Sequence, residues 1–169
     1  MASCFLCGSV DEEYAWFDGK EFFINMIFDF ITKNDIHTIY TLNRNMFDDI
    51  IEDTVNMVRD AINADLIKVA IYSSPIVALE SKLHWNDYYK KAICPFEDEL
   101  DPMVTYKTLY GWMIDNSEYM ITYCIDDSDI TINVINEAKE KGIKIFNVVD
   151  KLPNKIIQLP QNKKADLLL

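Results

Sequence analysis

Five short runs rich in β-branched and aromatic residues, separated by stretches of helical periodicity, constrain this chain more than any other feature. Residues 3–7, 36–42, 67–73, 119–125 and 143–149 read as strands. Between the first two, Phe23, Ile27, Phe30 and Ile31 recur at helical spacing from Lys20 to Asn34. Ile51, Val55, Val58 and Ile62 mark a second helix, and Ile130, Val134 and Ala138 mark another. That last helix also carries Glu137 and Lys141 at the i,i+4 spacing of an ion pair, with Gly142 as its C′ residue. The region from Ile76 to Thr105 is less regular. A helix over Leu79–Ile93 ends at Cys94-Pro95, because the residue before proline avoids the α region. A further helix spans Tyr106–Asn116.

Strand–helix alternation of this kind predicts an α/β fold: a Rossmann-like three-layer sandwich with a mostly parallel five-stranded sheet. At 169 residues, the chain suits one domain over residues 1–152, with 153–169 as a C-terminal tail. Half of the residues are hydrophobic, enough for a sizeable core, yet no run approaches the roughly 20 apolar residues of a membrane span. The start of the chain lacks a basic, apolar leader, and the expected location is cytoplasmic.

Charge narrows the partners. There are 28 acidic residues against 16 basic ones, a net charge of −12. Binding to nucleic acid draws on Lys and Arg to displace counterions, so nucleic-acid and anionic-membrane partners are not expected. The four cysteines include Cys4 and Cys7 in CxxC spacing. Both sit in an apolar, strand-like run rather than at a helix start, where a redox pair finds its low thiolate pKa. They are expected to be buried, reduced and inert. The only histidines, His37 and His84, have no neighbours that suggest a catalytic or metal pair.

In parallel sheets, ligands bind at the carboxyl ends of the strands near the point where strand order reverses. That rule nominates Gly8 and Ser9, Asn43 with Asp48, Ser73 and Ser74, and Asp126 with Ser128. Asp126, Asp127 and Asp129 read as a solvated turn and helix start rather than a metal site. A receiver-domain reading fails, since Ser73 stands where a phosphorylatable Asp is needed. Trp85, Tyr88, Tyr89, Tyr106, Tyr110 and Trp112 form an aromatic middle region suited to core or oligomer contacts.

The run from Tyr110 through Trp112, Met113, Asp115 and Ser117 to Tyr123 resembles the helix and strand of YpsA-type proteins of the SLOG superfamily. Ile135–Ile145 is similar to their next helix and last strand, and Cys4–Gly8 to their first strand. The resemblance implies a Rossmann-like pocket for a nucleotide-derived ligand, with Asp115 matched and Asp48 at the acidic position. It also implies glycine-rich loops after the second and fourth strands. Here those positions hold Asn43-Arg44-Asn45 and Asp126-Asp127-Ser128-Asp129. Without glycine the backbone is hindered from approaching a phosphate, and three carboxylates repel one. Two functions follow as expectations. One is a degenerate SLOG-like domain acting as a protein-interaction or structural subunit, as a homodimer, without enzymatic chemistry. The other is a sensor or binding module for a nucleotide-derived small molecule. No particular cofactor is implied.

Overall fold

The computed structural model describes residues 1–8, 20–42, 46–84, 90–124 and 129–151. The chain alternates β1 (Ala2–Gly8), α1 (Lys20–Lys33), β2 (Ile36–Thr41), α2 (Met46–Ala61), β3 (Ile67–Ile71) and α3 (Pro75–His84). It continues with β4 (Lys90–Ile93), α4 (Thr105–Asp115), β5 (Tyr119–Tyr123), α5 (Asp129–Glu140), β6 (Lys144–Asn147) and a 3₁₀ turn, Val148–Lys151. The strands form one sheet in the order β4-β3-β2-β1-β5-β6. Every pairing is parallel.

Side chains alternate across the sheet, so each strand feeds two cores. Cys4, Leu6, Ile39, Ile121 and Tyr123 face α1 and α2, meeting Phe23, Ile27, Ile31, Ile51, Val55 and Val58. Phe5, Cys7, Val69, Ile71 and Met120 face the other way, toward Leu109 and Met113 of α4 and Val134, Ile135 and Ala138 of α5. The three-layer α/β reading is therefore correct. The apolar stripe expected on the second helix holds at Ile51, Val55 and Val58, but Ile62 lies past the helix end and is exposed.

The sheet has six strands rather than five, because the expected helix over Leu79–Ile93 is wrong. Helix α3 stops at His84 and Lys90–Ile93 pairs with β3, Lys68 opposite Lys90 and Ile71 opposite Ile93. Two adjacent lysines hide the alternation of this strand. What holds Lys90 in it is a tertiary contact: Glu52 of α2 accepts hydrogen bonds from Lys90 and, at 3.1 Å, from Lys68. The Lys68 side chain is only 3% exposed, and Glu52 sets a counter-charge beside it.

Two local devices shape the ends of elements. Helix α5 closes with both bonds of a Schellman motif: the Ile143 N–H donates to the Ala138 carbonyl and the Gly142 N–H to that of Lys139. Gly142 takes the left-handed φ of 79° that the motif needs. At the same end of the sheet, Glu118 accepts from the Ser3 backbone N–H at 2.6 Å and from its hydroxyl at 2.8 Å, fastening the start of β1 to the start of β5.

The Glu52 cluster carries a pH prediction. Burial raises the Glu52 carboxyl, but hydrogen bonds and charge from Lys90 and Lys68 outweigh it and hold the group below its ordinary pKa of 4.5. A lowered folded-state pKa gives stability that is complete above that ordinary value and is lost as pH falls through the folded one. Glu52→Gln is expected to cost about 2 kcal/mol at pH 7, less than a fully buried pair because Glu52 is partly solvated. It should also flatten the loss of stability below about pH 4.5, checked by urea unfolding between pH 3 and 7.

Candidate binding surfaces

The order of the strands reverses between β1 and β5, so their carboxyl ends define the switch point. Gly8 ends β1 there, opposite Tyr123. Its φ is 146°, and a Cβ on it would lie 2.6 Å from the Tyr123 carbonyl oxygen and 2.8 Å from its nitrogen. Glycine at this position lets the two backbones meet.

Cys7, one residue earlier, faces α4 and α5. Its thiol lies within hydrogen-bonding reach of the side chains of Tyr110 on α4 and Thr131 on α5. Burial pushes the thiol up to about 11, the two hydrogen bonds pull the other way, and nearby Cys124 adds to the rise. Thr122 is the sheet neighbour of Cys7 and faces the same side; it is fully buried, and among the described residues its hydroxyl has no hydrogen-bond partner.

Above this cluster, a groove of about 430 Å³ opens between α4 and α5, lined by Tyr106, Lys107, Tyr110, Asn133, Val134 and Glu137. Val134 forms buried floor. Tyr106 and Tyr110 follow one another by a helical turn and stack, with ring centroids 6.5 Å apart and planes inclined by 24°. Asn133 and Glu137 repeat that spacing on α5.

The residues nominated from sequence divide between the two ends of the sheet. Gly8 and the Ser73–Ser74 pair share the carboxyl end, with β2 between their strands. The Ser73 carbonyl accepts from the Leu100 N–H, and that of Ser74 from the Ala78 N–H at the start of α3. Asp48 falls in the first turn of α2, also at this end. Ser9, Asn43, Asp126 and Ser128 lie outside the described residues, as do Trp85, Tyr88 and Tyr89. Asp115 does not join the others. It is the last residue of α4, at the opposite end where β5 begins, and pairs with Lys141 at 2.9 Å. The Lys141 ammonium hydrogen-bonds to Asp115, and Glu137, one turn before it, adds favourable charge while lining the groove. Trp112 packs edge-on against Tyr40 and leaves the groove to the tyrosines. His37 bonds to Asp35 at 3.0 Å and to Asn63 at 3.3 Å, a structural tie at the foot of β2. Among the described residues no cluster of His, Cys, Asp or Glu is placed to hold a metal, and no helix is long and apolar enough to cross a membrane.

A second surface was missed altogether. On α3 the residue turned inward is Ala78, with Ser74 buried one turn before it. The opposite side carries Ile76, Leu79 and Leu83, respectively 67%, 61% and 77% exposed. The helix turns its small residues inward and its large aliphatic ones outward. The spacing of these residues is ordinary core spacing, so the sequence alone cannot show that they point outward.

With this geometry in hand, comparison with known protein families and with curated proteins finds no match to the chain.

None of the four cysteines is in a disulfide. Cys4 and Cys7 lie in different cores on opposite sheet faces, and burial raises both far above the ordinary thiol pKa. A maleimide reagent on the folded protein should label the half-exposed Cys94 and Cys124 and leave Cys4 and Cys7 until unfolding. Mass spectrometry of labelled peptides reads the order, and equal labelling of all four would contradict it.

Proposed function

We propose that this protein is a non-enzymatic interaction subunit that docks through the outward face of α3 onto a second copy of itself. The carrying observation is the inverted helix: small residues inside, three large aliphatic side chains outside. Soluble monomers seldom expose such a stripe unless something covers it.

A second copy fits what lies beside the stripe. Strand β4 is the edge of the sheet and runs next to α3. A two-fold axis there would bring α3 against α3 and the β4 edge against its equivalent, an isologous contact that removes an open edge. The stripe alone is smaller than the roughly 800 Å² a side of a standard interface, and the strand edge adds to it. The region is also poor in acid. From Ile76 to Ile93, Glu80 and Asp87 are the only carboxylates, in a chain of net charge −12. Two copies therefore meet where their mutual repulsion is least.

This reading keeps the resemblance to SLOG proteins as a proposal about origin. The parallel sheet and the close approach at Gly8 support it, since both belong to Rossmann-like architecture. The departures in the two loop sequences favour an interaction role over phosphate binding.

Light scattering on the eluting protein should give a dimer at about 50 μM. Leu79→Asp with Leu83→Asp should give a monomer whose melting temperature is not lower than that of a wild-type sample diluted to the monomer. A wild-type protein that stays monomeric at that concentration overturns the proposal.

A further inference from the structure

From the groove between α4 and α5 we infer a second, separate role: it binds a zwitterionic α-amino acid with an aromatic side chain. The groove's volume, about 430 Å³, lies in the range of small-molecule sites. Its walls carry one formal charge of each sign, Lys107 on α4 and Glu137 on α5. Among the described residues neither makes a direct ion-pair contact; Glu137 feels Lys141, whose ammonium is hydrogen-bonded to Asp115, and it keeps its place on the groove wall. A ligand holding both an ammonium and a carboxylate satisfies both walls at once, whereas a phosphate meets only one cation and is repelled by Glu137.

The remaining surface selects the side chain. The stacked rings of Tyr106 and Tyr110 and the buried Val134 offer an apolar, aromatic surface, and aromatic rings prefer such offset partners. Asn133, on the Glu137 side, adds an amide that can donate to the ligand carboxylate or accept from its ammonium. Tyr110 is held from below by Cys7, so one of the two rings is fixed before a ligand arrives. On the neighbouring position of α4, one turn beyond Lys107, stands Gly111. Glycine is a far poorer helix former than alanine. A Cβ there would meet nothing within 4 Å, so no contact inside the fold demands glycine.

Calorimetry with L-phenylalanine tests the assignment, using 2-phenylethylamine and 3-phenylpropionate as probes lacking the carboxylate and the ammonium. Saturable binding of L-phenylalanine with a Kd below about 1 mM is expected, and about tenfold weaker binding of each probe. Lys107→Gln should weaken L-phenylalanine about tenfold without affecting 2-phenylethylamine; Glu137→Gln should do so without affecting 3-phenylpropionate. Both residues are on the surface, and circular dichroism checks that the variants fold. No saturable heat up to about 10 mM on the wild-type protein would overturn the inference. So would equal affinity for all three probes, or binding that neither variant alters.

Discussion

The fit of β1 against β5 is the constraint on which the rest of this structure depends. β1 lies inside the sheet, paired with β2 on one side and β5 on the other. Its two sides belong to chain segments more than seventy residues apart, so no local preference can hold them together. The seam is fixed at both ends by side-chain chemistry. At its start, the Glu118 carboxylate takes the Ser3 N–H and hydroxyl, and Ser3 donates to the Asn116 carbonyl at 2.8 Å. At its end, the missing side chain of Gly8 allows contact with the Tyr123 backbone. Between them, Cys4 and Cys7 divide to opposite faces and help seed both cores.

The proposed functional surfaces are consequences of that seam. Strands on one side of β1 add outward to β4, which packs against α3. Strands on the other side, β5 and β6, draw α4 and α5 across the sheet, and the groove opens between them. Cys7 and Thr122, adjacent across the seam, lie beneath it. The proposed dimer face and the proposed ligand groove thus sit at separate places on the molecule and can act independently.

Much of the fold was legible from sequence, for physical reasons. Strands 36–42 and 119–125 and the helix from Lys20 carry strong, unbroken periodicity, and their packing follows from it. Gly142 was readable as a helix stop because a left-handed C′ position admits few other residues. The strand at Lys90–Ile93 was not readable, because Glu52, thirty-eight residues earlier, supplies the interaction that keeps two lysines in a sheet. The site was less legible than the fold. The strand-end rule correctly put Gly8, Ser73 and Ser74 at one end. It did not nominate the proposed ligand groove, whose residues lie on helix flanks and look like ordinary surface. Asp115, carried over by resemblance, proved to belong to the far end with Lys141.

Two glycines with positive φ allow the central claim to be tested against an internal control. Gly142 at 79° has open space around it, while Gly8 at 146° has the Tyr123 backbone where a side chain would go. Alanine at Gly142 meets conformational strain alone, about 1–2 kcal/mol. Alanine at Gly8 meets strain and a backbone that must shift, so the loss should be at least about 3 kcal/mol. Urea unfolding of the two variants side by side measures the difference. The account predicts that Gly8→Ala loses clearly more stability than Gly142→Ala; equal losses would show that the β1–β5 seam does not depend on close approach at Gly8.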